Sequence, residues 1–457
     1  MPTRRPRSDK TQLSIPKTDS SWTAYRTLLA ALFSEGVLFA ICLSFGVFQD
    51  YYSNRASLPH SDLSSWIGVL ATGIAYLGAP AVTYCCQNFT IPCHYYIYPG
   101  WILCLGLLSS AFCHDFRSMI ATQGLLFGVG LLVVEMPTLI IMNTWFVKRR
   151  GLAFGLLCGF TDLFGVAWGF LASSLLNRHG IKTAFLVVTA ICFVVPGVGI
   201  VFLRERSSVT EGLRSETASV KELTASTDVL HENTPANSTL PPRRYYHRAS
   251  FYIFLVPNLL QSFAFYLPFV YLPSYTTALG YSASTGAVVL AIANVAQVLG
   301  EIGFGRLSDK VNVHTLVFCS TAIASLAAFL VWGFANSLAS LIVFALLFGG
   351  SASGFLTLWP RMGTVFAERD ASMIYSFMSL GRGLSVIASG PISAALLPVY
   401  GDVGDHDDDD WVRHHYRGVV LFVGSCMAAS AILGLLGWTS SYLKRKHLIS
   451  RGRDASV

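Results

Sequence analysis

Twelve runs of about twenty predominantly apolar residues follow one another along this 457-residue chain. Each is long enough to cross a hydrocarbon core of about 30 Å as an α-helix. Backbone polar groups in lipid must be satisfied within their own segment, so such runs become helices packed side by side. Only 12 % of residues are charged, against about 25 % in an ordinary soluble domain. The expected fold class is an all-α membrane protein with twelve transmembrane helices. The runs lie near Tyr25–Phe48, Ser65–Cys85, Tyr96–Cys113, Ser118–Phe146, Leu152–Leu176 and Thr183–Leu203, then Phe251–Tyr275, Ser284–Phe304, His314–Phe334, Leu338–Trp359, Ser372–Leu397 and Val419–Tyr442.

Between the sixth and seventh runs lies a segment rich in Ser, Thr, Glu and Arg, without apolar periodicity. It reads as a long, largely disordered linker, and it splits the helices six and six. The expected organisation is a tail (1–24), a six-helix half (25–203), a linker (204–249), a second six-helix half (250–442) and a basic tail (443–457). The polar, basic N-terminal residues give no sign of a cleavable signal peptide.

Orientation follows from Trp145-Phe146-Val147-Lys148-Arg149-Arg150-Gly151, three consecutive cations between two apolar runs. Cations at the bilayer centre cost several kcal/mol, so these mark a short cytoplasmic turn. With both termini and the linker on the same side, that side holds 25 of the 32 Lys and Arg. The opposite side holds six, and Arg382 is left inside a helix. The expectation is a multi-pass protein of the plasma membrane with cytoplasmic termini. The sequons at Asn88 and Asn237 then fall on the cytoplasmic side. The net charge of +7 belongs to these loops and signals no nucleic acid. The ten cysteines show no paired C-x-x-C spacing, so neither a zinc site nor a disulfide framework is indicated.

The turn and its surroundings resemble the monocarboxylate transporter-like branch of the major facilitator superfamily, in its fungal form. The matching positions are Phe146, Lys148, Arg149, Arg150, Leu152, Ala153, Gly155, Leu156 and Gly159. The segment Asp19-Ser20-Ser21-Trp22-Thr23-Ala24-Tyr25 is a degenerate form of the family's D-G-G-x-x-x-W motif. Ser44-Phe45-Gly46-Val47-Phe48-Gln49-Asp50-Tyr51-Tyr52 resembles the end of helix one in fungal members. Gly305-Arg306-Leu307-Ser308-Asp309-Lys310 resembles the superfamily's G-x-L-x-D-R/K loop. In the first half, Gln87–His94 at the equivalent place lacks both the acid and the base. The resemblance implies two six-helix halves in the major facilitator fold, with helices three, six, nine and twelve outside a central cavity.

Ionisable groups within membrane helices are functional candidates by default. They are Glu35, Glu135, Asp162, Glu301 and Arg382. Arg382 lies about ten residues into its helix, so about 15 Å deep. A buried guanidinium needs an anion: either a substrate carboxylate held bidentately, or a permanent partner such as Glu135 or Asp162. Glu135, Asp162 and Glu35 are candidates for proton coupling, because their setting is a low-dielectric one. The plain alternative for Asp162 is a helix–helix hydrogen bond, and for Glu35 a pairing or gating role. Asn294 and Gln297 share one face of helix eight, and with Tyr266 complete the candidate substrate contacts. The depth of Glu301 assigns it to a cytoplasmic latch with Gly305, Arg306, Asp309, Lys310, Arg149 and Arg150. Family members carry Arg where this chain has Glu301, so the usual anion position is not matched. The acidic run Asp405–Asp410 reads as a solvated loop rather than a metal site.

The function expected is secondary active transport of a small organic acid or an acidic secondary metabolite by alternating access. Coupling is expected to be to protons, in the sense of efflux from a fungal metabolite pathway. The rivals are a monocarboxylate importer and a transport-inactive membrane sensor. No enzyme motif is present, and no cofactor is called for. The partners are the substrate, protons and the lipid bilayer.

Overall fold

A computed structural model describes residues 18–54, 64–89, 91–113, 115–206, 249–366, 370–397 and 409–454. Most of the N-terminal tail, the linker and the acidic run Asp405–Asp408 lie outside these residues, as does Asn237. Among the described residues every regular element is helical.

Among the described residues, nine segments are long and apolar enough to cross a membrane. One of them, Arg150–Ile200, is two helices joined at Gly180, whose φ of 78° breaks the helical path. Glycine takes this left-handed conformation without a Cβ penalty. Two more helices, Cys93–Leu103 and Ala371–Leu396, complete a set of twelve. In chain order they are α1 (Trp22–Gln49), α2 (Trp66–Asn88), α3 (Cys93–Leu103, continued by Gly106–Ser110), α4 (Phe116–Trp145), α5 (150–179), α6 (181–200), α7 (Phe251–Ala278), α8 (Ala283–Ser308), α9 (Val313–Trp332), α10 (Leu338–Phe366), α11 (Ala371–Leu396) and α12 (Val412–Thr439).

The predicted boundaries shift at several helix ends; α3 starts at Cys93 and α8 runs to Ser308, for example. Helix α1 starts at Trp22 rather than Tyr25, because the Ser21 side chain caps it by accepting from Thr23 N–H. Residues 18–24 are thus ordered rather than part of a loose tail. Helix α10 runs past Trp359 to Phe366. The last helix continues into the expected tail, as far as Asp454.

The outward faces stay apolar. Phe170, Leu299 and Phe334 are 76 %, 66 % and 65 % exposed, as lipid-facing side chains should be. The interior divides into two clusters. The larger one is built mainly from α1 to α6 and the smaller from α7 to α12. The two halves meet along two seams of close backbone contact. In one, Gly155 of α5 lies against Glu301 and Gly305 of α8. In the other, Gly383 of α11 lies against Gly73 and Leu77 of α2.

Candidate functional site

At one end of the molecule the turn 147–152 is held by two carboxylates. Asp19 accepts from the backbone N–H of Val147 (3.1 Å), Lys148 (3.0 Å) and Arg149 (2.9 Å). Asp19 sits at φ 63°, a conformation that a short polar side chain tolerates. Burial opposes its ionisation, but the bonds from Arg149, Lys148 and Val147 outweigh it and hold its pKa below the ordinary value. Asp309, at the end of α8, accepts from Gly151 N–H (2.8 Å) and Leu152 N–H (3.0 Å). These are orphan donors at the start of α5, where the helix dipole also favours an anion.

The second clamp involves the loop expected to act as a latch, but through backbone rather than ion pairs. Arg306 and Lys310 are exposed, so the acid does the latching against backbone. Arg150 folds back onto its own half, donating to the carbonyls of Phe146 (3.1 Å) and Asn143 (3.1 Å). Arg149 Nη1 reaches the Tyr25 hydroxyl at 3.4 Å. Arg361 of α10 adds a bond to the Ser308 carbonyl at 3.2 Å. Gly305 closes the seam: a methyl group there would sit 2.9 Å from Gly155 Cα.

Above this closed end lies a cavity of about 600 Å³ between the halves. Its lining comes from α1, α2, α4, α5, α7, α8, α10 and α11, as the resemblance implied. Tyr375 forms part of its floor on the latch side, packed on Phe154 (centroids 6.1 Å) and Trp359 (5.4 Å). The wall is mostly apolar and aromatic, interrupted by Glu35, Glu135, Asp162, Asn294, Gln297, Glu301, Tyr266 and Arg382.

Arg382 is 3 % exposed. Its Nε donates to the Tyr266 hydroxyl at 3.2 Å. Its guanidinium lies over the rings of Phe265 (4.3 Å) and Tyr266 (4.9 Å). Its Nη1 has no hydrogen-bond partner. The guanidinium is thus held by aromatic rings and the Tyr266 hydroxyl, with Nη1 left for an anion. Asp162 takes another partner: Gln297 Nε2 donates to its Oδ2, and Glu301 lines the same cavity. Glu35 and Glu135 are each 5 % exposed, and each has an oxygen without a hydrogen-bond partner. Glu301 is in the latch seam through its backbone, but its side chain lines the cavity. Its depth alone did not reveal this, because helix α8 turns its carboxyl inward while its carbonyl faces Gly155.

Phe265 and Tyr375 were not singled out from sequence. An aromatic residue in an apolar run carries no sign of which face it occupies. Asp19 was visible only as the acid of a degenerate motif.

The profile of the Major Facilitator Superfamily matches residues 61–391 and 258–453. The chain belongs to the Major Facilitator Superfamily. It is similar to the MFS transporter asaE of Aspergillus flavus, at 22 % identity over 417 residues, covering 90 % of this chain and 87 % of that one. It is also similar to the Agnestins efflux protein AgnL12 of Paecilomyces divaricatus, at 23 % identity over 409 residues, covering 86 % and 82 %. Among solved structures, the superfamily transporter FucP in its outward conformation superposes with a TM-score of 0.61 at 13 % identity, covering 91 % of this chain and 99 % of that one. At that identity the likeness concerns the fold. The fold and family are those of a transporter embedded in the membrane, with a small-molecule substrate.

Proposed function

We propose that this transporter moves an organic acid or acidic secondary metabolite, linked to protons, and that its physiological direction is efflux. The observation that carries this reading is Arg382: a buried cation in the wall of a central cavity, with Nη1 open and no ion pair to a carboxylate among the described residues. A substrate carboxylate would complete it through charge-assisted hydrogen bonds. The cavity volume supports a metabolite larger than a short monocarboxylate, since drug-sized ligands occupy sites of about 300–1,000 Å³. The name of the Agnestins efflux relative supports the same sense. The likeness to the monocarboxylate transporter-like branch rests on the turn 146–159. The latch end faces the cytoplasm in this reading, with both termini on that side and the protein in the plasma membrane. Closure at the latch then gives an outward-facing state.

A second reading is favoured by one observation. Four carboxyl groups, Glu35, Glu135, Asp162 and Glu301, share the cavity with a single guanidinium. A cavity so acidic also suits a neutral or cationic metabolite exchanged for protons. Flux of labelled organic acids and of their methyl esters, in cells expressing the chain, separates the two. The first reading predicts movement of the acid and not the ester, with loss in Arg382→Ala. Ester flux that survives in the variant overturns it. A protein at the membrane that carries neither compound, yet changes signalling, would be the sensor.

A further inference from the structure

We infer that the cavity holds a second, cation-binding subsite at Glu35 and Glu135, and that the substrate is amphoteric: a carboxylic acid with a basic nitrogen at its far end, bridging the two halves. This names the substrate class of the organic-acid reading above and rests on that reading. The two acids come from different helices of the first half, α1 and α4, and both side chains line the cavity. Each is 5 % exposed, and Glu35 Oε1 and Glu135 Oε2 have no hydrogen-bond partner among the described residues. A carboxylate taken out of water and left without a counter-charge is costly. Two of them in one wall call for a group that brings both a positive charge and several donors, as an ammonium does. The surroundings suit the same group. Phe39 lies one turn beyond Glu35 on the same face of α1 and packs on Tyr76 of α2 at 5.7 Å. Phe154 of α5 packs on Tyr375 of α11 at 6.1 Å. All four rings line the cavity, and the faces of aromatic rings attract cations.

Depth sets this subsite opposite Arg382. The Asp19 N–H donates to the Trp145 carbonyl at 3.1 Å, so the start of α1 and the end of α4 lie together at the latch end. At about 1.5 Å per residue, Glu35 stands about 20 Å along α1 from Trp22, Glu135 about 15 Å from Trp145, and Arg382 about 16 Å along α11 from Ala371. The three charges therefore share one level, with the acids on the first half and the guanidinium on the second. Gly383, next to Arg382, lies against Leu77, next to Tyr76. The Phe39–Tyr76 pair thus leads from the Arg382 seam to Glu35. The other two cavity carboxyls do not fit the role. Asp162 already accepts from Gln297. Glu301 also has an open oxygen, but it stands in the same half as Arg382, and about 10 Å from the end of α8 at 1.5 Å per residue, below the shared level. A molecule with opposite charges at its two ends satisfies both walls at once. An acid without the nitrogen leaves two buried carboxyls unmatched, and polar groups left unpaired discriminate more strongly than a missing apolar contact.

The test is equilibrium binding of two matched ligand triads to the full chain in lipid nanodiscs, with binding to empty nanodiscs subtracted. One triad is ω-aminohexanoate, hexanoate and hexylamine. The other is para-(aminomethyl)benzoate, para-methylbenzoate and para-methylbenzylamine. In at least one triad the amino acid should bind at least tenfold more tightly than both the plain acid and the plain amine. Its advantage over the acid should shrink in Glu35→Gln and in Glu135→Gln, and its advantage over the amine should shrink in Arg382→Ala. The wild-type comparison needs no variant to fold. An acid that binds as tightly as its amino acid in both triads overturns the cation subsite and leaves the organic-acid reading standing. So does an advantage over the acid that survives both Gln variants. An amine that binds as tightly as its amino acid, undiminished in Arg382→Ala, counts against the organic-acid reading and removes this inference with it. Binding of neither amino acid overturns the inference outright.

Discussion

The Arg382 guanidinium is buried against the rings of Phe265 and Tyr266, with its Nη1 open to the cavity's contents. A lone arginine in an apolar run announces burial and the need for an anion. Its company of Phe265, Tyr266 and an open Nη1 depends on how α7 and α11 face each other, which no local pattern specifies. If it binds substrate, Arg382→Ala removes charge-assisted hydrogen bonds that typically contribute about 1.5–3 kcal/mol. Acid flux should fall about ten- to a hundredfold, with surface expression unchanged. Arg382→Lys keeps the charge but loses the planar fork, and initial-rate measurements should place it between the two. Asp19 gives a prediction about pH. Its pKa is lowered in the folded chain, so its contribution is complete above the ordinary aspartate value of 3.8 and is lost as pH falls through the lower folded value. Removing its bonds by Asp19→Ala should cost about 1–2 kcal/mol at neutral pH, read as a lower melting temperature in detergent. The gap between wild type and variant should close only in strong acid. A gap that closes near neutral pH would contradict the clamp.

The helices themselves were readable, because twenty apolar residues in a row leave few alternatives. The latch was half readable. The motif around Gly305 and Asp309 pointed to the right loop, but its cations suggested ion pairs. The structure uses Asp309 on the open N–H groups of α5 instead, since the N–H groups at a helix start need an acceptor, which no cation can supply. Asp309→Asn should weaken this by about 1–2 kcal/mol, and exchange at Gly151 and Leu152 should quicken about tenfold. Unchanged protection there would show that the acid is incidental. Gly305→Ala tests the seam independently. Its methyl group meets the backbone of Gly155, which cannot move aside as a side chain would. The closed end should loosen, with similar loss of protection across 151–155 and impaired flux. A variant with wild-type protection would mean that α5 and α8 are not held by backbone contact.

For the molecule as a whole, six-plus-six organisation and the identity of the cavity-lining helices were both implied by sequence. Glu35, Glu135, Asp162 and Arg382 all line the central cavity between the halves. Glu301 did not follow its assignment, because backbone and side chain of one residue serve different ends of the same seam. What the whole fold adds is a division of labour: a clamp within the first half at Asp19, a breakable clamp between halves at Asp309, and charge above both. The central claim is that proton movement and acid movement share this cavity. It is tested most directly in liposomes containing the purified protein and an internal pH dye, with a transported acid added on one side under zero membrane potential. The account predicts a dye signal that starts with acid flux, scales with it, and disappears in Arg382→Ala. Acid flux that proceeds at the same rate without any proton movement would contradict it.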